Sequence, residues 1–514
     1  MKAATLRRFL SVHTWVGLLA GLALFIAFYA GAITVFSHEI GDWNRTGTQA
    51  VAPTDPVARS QHLLDTLLKQ HPQAAESVYL VLPGDHGPQP SAYWYEASTG
   101  ISHKFVFDDG DGLQESRFGH AFIEFIYDLH FTAGLPKPFG TYLFGVVCIL
   151  YGLALVSGVV IYAPGFVKDL FALRLGKNLK RLWQDAHNAI GILSLPFHVI
   201  FAWSGAVLTI GMLLLFPFNA LVYNGKLLQL VETDFYGAPQ LAATKQPGLQ
   251  LSVSELLARG KQAMPQLEVE GVSLVNIGDA NGQATLYGVV EQRRLNQLGA
   301  VVMDAGTGKV INTYAPKTMT PGMWMLRGLQ ALHYGNFGHD TVKWLYFVLG
   351  LAGAFLFYSG NLLWIESRRK RRQIEQPRRT RVMAALTLGV CLGCIAGVSA
   401  LFVAGALWPQ WPVAPLYYGV FLACVAWACV RVPARAGHEL LWLCALLTSL
   451  VPIAGWVGTG EHVLASAWQG HWHRFFVDAV ALLLAFAFWR MARATLRRGR
   501  EGDPNSIWAL PKPG

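Results

Sequence analysis

The chain alternates long apolar stretches with polar segments. Eight stretches of about 20 apolar residues recur along its 514 residues. Each is long enough to cross a bilayer as a helix, because a helix rises about 1.5 Å per residue and the hydrocarbon core is about 30 Å thick. They occupy residues 14–36, 139–163, 188–216, 341–365, 382–407, 414–431, 438–457 and 475–493. The pattern predicts an α-helical integral membrane protein, in contact with membrane lipid, with about eight transmembrane helices.

Two long polar segments interrupt the apolar stretches, at residues 40–135 and 220–335. In each, a stretch with helical periodicity leads to three stretches with the alternation typical of β-strands. The first segment reads ARSQHLLDTLLKQHP and then SVYLVLP, SAYWYEAS and SHKFVFDD. The second reads VSELLARGKQAMP and then VEGVSLVNIG, QATLYGVV and AVVMDAGTGKVI. Each segment is therefore predicted to form an α/β domain outside the membrane.

The charge of the chain, formally +10, is concentrated in short loops between apolar stretches, at 168–181 and 368–381, and in the tail at Arg497–Arg500. If the eight helices alternate in direction, these loops share one side, which the positive-inside rule places in the cytoplasm with both termini. The first apolar stretch is too long for a cleaved signal peptide, so we expect it to be retained. The basic residues thus indicate membrane topology, and no nucleic-acid partner is expected.

These patterns divide the chain into nine segments. They are transmembrane helix 1 (1–38), the first external domain (39–135), transmembrane helix 2 (136–165), a cytoplasmic loop with transmembrane helix 3 (166–217), the second external domain (218–338), transmembrane helix 4 (339–366), a basic cytoplasmic loop (367–381), an extension of four transmembrane helices (382–495) and a cytoplasmic tail (496–514).

Residues 1–165 and 175–366 form an internal repeat of helix, external domain and helix. The stretch VHTWVGLLAGLALFIAFYAGAI aligns with AHNAIGILSLPFHVIFAWSGAV, which places His13 on His187. The segment DLHFTAG with its following helix aligns with ALHYGNFG, which places His130 on His333. In the same alignment, Ser157-Gly158 falls on Ser359-Gly360.

Four histidines at repeat-equivalent positions indicate a metal cofactor. His13 and His187 begin helices that leave the cytoplasm, whereas His130 and His333 precede helices that return. Two facing imidazoles can hold a haem iron from both sides, so we predict two haems, one near each membrane face. No C-x-x-C-H motif occurs, which favours haem b over a covalent c-type haem. The alternative is that these histidines are interfacial or capping residues; zinc is less favoured because no H-x-x-x-H motif or acidic cluster accompanies them.

His198 is a fifth candidate, 11 residues after His187 and on the same helical face. Its counterpart in the first repeat is Leu24. It could ligate the upper haem, hydrogen-bond a propionate, or bond a carbonyl near the kink that Pro196 invites.

The motifs HTWVGLLAGL, AHNAIGILSLPFHVIFAWSG, LHF, LHYGNFG and SGNLLW resemble those of the PepSY-associated transmembrane proteins, also called iron-regulated membrane proteins. The resemblance covers about residues 1–370. It implies an inner-membrane ferric-siderophore reductase with two b-type haems between four helices and PepSY-like domains in the periplasm. His13 and His187 match the helix-start histidines of that family, and His130 and His333 match its Leu-His motifs. The last four helices depart from the family pattern, so the electron donor, partner or substrate could differ.

The resulting hypothesis is a haem-dependent oxidoreductase of the bacterial inner membrane that reduces periplasmic ferric siderophore. No G-x-G-x-x-G motif follows a strand, so a quinol or another protein is expected to supply the electrons. One alternative is a non-enzymatic PepSY-type regulator or inhibitor, or a transport accessory protein. A transporter is disfavoured because the first four helices have almost no charged residue at mid-membrane.

Overall fold

The structure is a computed structural model that describes residues 3–43, 54–84, 89–96, 101–107, 112–115, 121–165, 174, 178–227, 229–231, 237–239, 241–291, 295–370 and 372–511. Most of the predicted basic loop 168–181 lies outside these residues.

Eight helices in the described chain are long and apolar enough to cross a membrane, which confirms the predicted multi-pass architecture. They are α1 (Ala3–Thr34), α5 (Phe139–Tyr162), α7 (Leu195–Leu221), α10 (His339–Ser367), α11 (Arg378–Leu407), α12 (Val413–Val430), α13 (Pro433–Thr459) and α15 (Trp472–Glu501). The shorter helices are α2 (Ser37–Trp43), α3 (Pro56–Gln70), α4 (Ala121–Thr132), α6 (Leu179–Leu193), α8 (Val253–Ala263), α9 (Pro321–Tyr334) and α14 (Val463–Gln469).

The third apolar stretch differs from the prediction because it forms two helices, α6 and α7, that meet at Ser194. Pro196 lies in the first turn of α7, where its missing N–H costs little because the first turn of a helix has unpaired donors anyway. The Ser194 N–H still donates to the Ile190 carbonyl at 3.0 Å.

The residues separate into two compact units. The helical unit comprises Met1–Thr46, His120–Met212 and Lys343–Gly514, and the sheet unit comprises Gly47–Gly119 and Leu213–Val342.

Small residues let helices of the helical unit approach closely. A Cβ on Gly350 of α10 would lie 2.8 Å from the Cβ of Ala32 on α1. A Cβ on Gly145 of α5 would lie 2.2 Å from a methyl carbon of Ile210 on α7. Neither distance is possible between real side chains, so these crossings need glycine.

The C-terminal extension, α11 to α15, packs on the helices of the repeat. The buried Trp43 indole at the end of α2 donates a hydrogen bond to Asp478 of α15 at 2.8 Å. The Tyr418 hydroxyl of α12 donates to the Ala133 carbonyl, just after α4, at 3.3 Å. The extension therefore holds α2 and α4 in place within this unit.

The sheet unit contains one antiparallel sheet of eight strands in the order β4-β3-β2-β1-β5-β6-β7-β8. Its strands are β1 (Ser77–Val81), β2 (Ser91–Glu96), β3 (Ile101–Phe107), β4 (Leu113–Glu115), β5 (Glu268–Val275), β6 (Gln283–Val289), β7 (Leu298–Asp304) and β8 (Val310–Tyr314).

The two polar segments, predicted to form α/β domains at 39–135 and 218–338, contribute to one sheet. Strands β1 and β5 pair antiparallel, with Ser77 opposite Val275 and Val81 opposite Gly271. Each polar segment contributes four strands rather than three, and the two halves join at their inner edges. Pairing two edges removes unpaired N–H and C=O groups that would otherwise be exposed.

Helices α3 and α8 supply the apolar core of the sheet unit. Leu63 and Leu67 of α3 and Leu256 of α8 are fully buried in one cluster with Val78 and Leu274 of the central strands. In each half of the repeat, the helix thus buries its apolar face against the sheet, as expected for amphipathic helices.

Candidate functional site

His13 and His187 face each other inside the helical unit. The ring centroids of His13, on α1, and His187, on α6, are 6.1 Å apart, with the ring planes at 75°. If one metal ion bound both rings, its two bonds of about 2 Å each, together with the distance from each nitrogen to the centre of its ring, would separate the ring centroids by about the same distance. The sequence predicted this pair, and the structure brings its two members together.

Both rings are oriented by a hydrogen bond to a backbone carbonyl. The Nδ1 of His13 lies 2.9 Å from the Ala154 oxygen of α5, and the Nδ1 of His187 lies 3.0 Å from the Leu356 oxygen of α10. A carbonyl oxygen only accepts, so each Nδ1 carries the proton and each Nε2 keeps its lone pair. Metal-ligating histidines commonly adopt this arrangement, with the non-ligating nitrogen bonded to a carbonyl or carboxylate.

The repeat extends to the contacts around these rings. Ala154 and Leu356 are equivalent positions, each three residues before the matched Ser-Gly pairs. A Cβ on Gly158 would lie 3.1 Å from Cε1 of His13, and a Cβ on Gly360 would lie 3.1 Å from Cε1 of His187. The two imidazoles therefore sit in matching cradles made by α5 and α10.

A cavity of about 780 Å³ borders both histidines. Helices α1, α5, α6 and α10 line it, with glycines at positions 17, 158, 191 and 360. The volume is within the range of about 300–1,000 Å³ that is typical of cofactor pockets. Two neutral imidazoles complete the coordination of an iron whose other four ligands come from a porphyrin, and glycines allow a flat ring close to the helix backbone. The residues present thus fit a haem.

His198 does not line this cavity, although it shares a helical face with His187. It is fully buried, and both ring nitrogens have hydroxyl partners. The Tyr151 hydroxyl lies 2.5 Å from Nδ1, and the Ser194 hydroxyl lies 2.9 Å from Nε2. The Phe28 ring packs at 5.7 Å. In this arrangement no lone pair of His198 is left for a metal, and its partners are hydroxyls rather than a carbonyl.

His130 lies near the end of α4, against α1. Its Nδ1 is 2.8 Å from the Ala27 oxygen, so it also carries its proton on Nδ1. A Cβ on Gly31 would lie 2.6 Å from that nitrogen, so only glycine fits there. His130 therefore has the same Nδ1-to-carbonyl bond as His13 and His187.

His333 is the penultimate residue of α9 in the sheet unit. The Thr320 hydroxyl caps the start of α9 by accepting the Met323 N–H at 3.1 Å, and Gly335 ends the helix with φ of 65°. The His333 ring meets Tyr334 edge-on, with centroids 5.6 Å apart. Since His130 and His333 belong to different units, their pairing stays a prediction.

Comparison with known proteins supports the assignment suggested by the sequence motifs. Residues 10–367 match the model of the PepSY-associated TM region. The chain belongs to this family. The match ends where α10 ends, so the extension from α11 to α15 lies beyond the family region.

A curated relative of this PepSY-associated protein is the uncharacterized protein PA4219 of Pseudomonas aeruginosa. The two are 24% identical over 368 residues, which is 66% of this chain and 89% of the relative.

Several residues of the site were not found by sequence reasoning. The Ala154 and Leu356 carbonyls belong to the backbone, so the identity of these residues does not reveal them as hydrogen-bond acceptors. The aligned Ser-Gly pairs, three residues later in each helix, were the only sequence signal near them. Asn361 and Trp364 of α10 also line the cavity. A polar Asn within an apolar stretch was the signal for Asn361.

Proposed function

We propose that this protein is an inner-membrane haem b reductase that passes electrons across the membrane to a periplasmic ferric siderophore. The observation that carries the proposal is the pair of His13 and His187, each with Nδ1 bonded to a carbonyl, the two rings 6.1 Å apart and both bordering one cavity. The substrate class comes from the family resemblance described above.

The chain holds the cofactor through its own geometry. His13 and His187 would ligate the iron through Nε2, while Ala154 and Leu356 keep the rings oriented and neutral by accepting the Nδ1 protons. Bound haem supplies one-electron redox chemistry that the side chains themselves lack.

The distribution of basic residues supports the orientation. The loop after α10 contains RRKRRQIEQPRRTR, and the tail contains Arg497–Arg500. By the positive-inside rule, these segments and both termini are cytoplasmic. The site at His13 and His187 would then occupy the cytoplasmic half of the membrane, and the polar segments 40–135 and 220–335 would face the periplasm.

A second haem at His130 and His333 is proposed from the repeat and from the shared Nδ1-to-carbonyl bond of His130. The substrate would be reduced on this periplasmic side, where each Fe(III) takes one electron and becomes Fe(II). Hard-oxygen chelators bind Fe(II) less tightly than Fe(III), so reduction releases the metal. A quinol or another protein would supply the electrons.

The test uses detergent-purified protein reduced anaerobically and mixed with a ferric siderophore. We expect the reduced haem bands to disappear as a ferrous chelator captures Fe(II). His13→Ala and His187→Ala should release about half as much Fe(II) per chain, because each variant keeps only the second haem. His438→Ala is the matched control, because His438 also bonds a helix carbonyl through Nδ1, that of Ala492 at 3.0 Å, but does not line the cavity.

Reduced protein that is not reoxidised by ferric siderophore would contradict the reductase. A colourless wild-type protein, expressed with ample haem, would instead favour the PepSY-type regulator.

A further inference from the structure

The cavity beside His13 and His187 is charged at one end only. Among the described residues that line it, the charged side chains are Arg7, Lys180 and Arg368, and none is acidic. Arg7 and Lys180 precede the histidines of their helices by six and seven residues, and Arg368 follows Gly360 by eight. At 1.5 Å per residue, all three lie about 9–12 Å beyond the level of the imidazoles in the same direction.

A row of hydrogen-bond donors on α10 and on Arg368, the residue that follows it, leads from the level of the histidines toward this end. Asn361, Trp364 and Arg368 are spaced three and four residues apart, so they share one face, and all three line the cavity. The Arg368 guanidinium lies over the Trp364 ring, 4.3 Å from its centroid.

Two of these donors are buried without an acceptor. Asn361 is 3% exposed, and its Nδ2 has no hydrogen-bond partner. The buried Nε1 of Trp364 has none either. Buried polar groups without partners are rare because they lose their hydration and gain nothing in return. Two of them on the same face of one helix indicate that a ligand supplies the acceptors.

The ligand must therefore present acceptor oxygens and negative charge at this end of the cavity. We propose that Asn361, Trp364 and Arg368, together with Arg7 and Lys180, bind the propionate carboxylates of the haem and so fix which edge of the macrocycle faces the basic end. This inference rests on the proposed haem site. The phosphate of an anionic lipid has the same chemistry, and the experiment separates the two sources.

The test titrates full-length apoprotein in neutral detergent with haemin and with haemin dimethyl ester, followed by the Soret band. The ester keeps the ring and the iron but lacks the carboxylates. Hydrogen bonds to charged groups are strong enough that losing them should weaken binding of the ester about tenfold or more. Removing the cations by Arg7→Gln, Lys180→Gln and Arg368→Gln together should weaken haemin to a similar degree and leave the ester unchanged.

The matched control is the triple variant Arg8→Gln, Arg181→Gln and Arg372→Gln. It removes the same charge from neighbouring positions that do not line the cavity, and it should keep the wild-type ratio of haemin to ester affinity. An equal loss in the control would show that overall charge, rather than this end of the cavity, attracts haemin, and would overturn the proposal.

The variant Asn361→Leu separates ligand binding from a purely structural role, because unfolding temperature and haemin affinity should respond differently. The substitution removes the unpaired donor, so the apoprotein should unfold at the same or a higher temperature while haemin binds more weakly. Equal wild-type affinities for haemin and its ester, with lipid phosphate at the basic end, would overturn propionate binding but leave the haem site intact. Binding of neither compound would instead overturn the proposed function.

Discussion

The glycines behind the two imidazoles give a sharp test of the ligand geometry. In Gly158→Ala, the new Cβ would lie 3.1 Å from Cε1 and 3.4 Å from Nδ1 of His13. In Gly360→Ala, it would lie 3.1 Å and 3.3 Å from the same atoms of His187. Favourable carbon contacts begin at about 3.5 Å, so each ring must move by about 0.4 Å.

A displacement of that size matters more for metal binding than for folding. Metal–ligand distances are held to about ±0.2 Å, so a shift of about 0.4 Å strains the bond or the Nδ1 hydrogen bond. Perturbing the groups that orient a ligating histidine typically costs about 10–100-fold in metal affinity. The helix itself should not suffer, because alanine is favoured over glycine by about 1 kcal/mol in a helix interior.

The assay is haemin titration of apoprotein, with thermal unfolding of the same samples. Gly152→Ala is the matched control, since Gly152 is on α5 too and no atom lies within 4 Å of its would-be Cβ. Gly158→Ala and Gly360→Ala should lose haem affinity without losing stability, whereas Gly152→Ala should keep the haem affinity of the wild type. If all three variants bind haemin like the wild type, the cradles do not position the ligands and the reasoning is refuted.

Three further predictions concern the cavity wall, the buried histidine and the sheet unit. Gly17→Ala adds a methyl group to the cavity where no atom lies within 4 Å, so the apoprotein should keep its unfolding temperature while haem affinity falls; unchanged affinity would place the macrocycle away from α1. Ser194→Ala removes the hydroxyl 2.9 Å from Nε2 of His198, which should cost about 1–3 kcal/mol of unfolding free energy in denaturant titration without loss of haem; full stability would show that the buried ring needs no such partner. The pKa of Asp279 is lowered from 3.8 to about 2, chiefly because the Asn281 backbone N–H donates to its carboxylate. Its stabilising contribution is therefore present above its ordinary pKa and lost as the pH falls through about 2, so Asp279→Asn should flatten the dependence of unfolding temperature on pH in that window, and a parallel profile would contradict this.

The membrane helices could be predicted from the sequence because the signal is local. An apolar stretch of about 20 residues needs no partner to be recognised. The differences are also local in origin. Helix α1 begins at Ala3, within the predicted segment 1–38 but before the apolar stretch that starts at residue 14, because its basic first turns are helical without being apolar. The split at Ser194 follows from Pro196, which the sequence shows but whose effect depends on how neighbouring helices pack.

The shared sheet could not be predicted in the same way. Its centre is the pairing of Ser77–Val81 with residues almost 200 positions later in the chain. The alternation within each strand identifies its buried face but carries no information on which distant edge it pairs with. The repeat suggested two equivalent domains and left open how they associate.

The two candidate iron ligands could be predicted from the sequence, but the groups that orient them could not. Alignment of the repeats selected His13 and His187 because they hold equal positions in the two copies, and a two-fold relation between the copies would bring them face to face. The acceptors at Ala154 and Leu356 are backbone groups, so residue type could not reveal them. His198 matched the helical face of His187, yet its side chain is bonded by the hydroxyls of Tyr151 on α5 and of Ser194 at the break before α7, contacts that helical periodicity alone cannot anticipate.

The central claim is that His13 and His187 hold a haem iron, and a pyridine haemochrome assay of purified protein tests it most directly. The wild type and His438→Ala should each contain about two haems b per chain, and His13→Ala or His187→Ala about one. An unchanged haem count in the His13 and His187 variants, or a wild-type protein without haem, would contradict it.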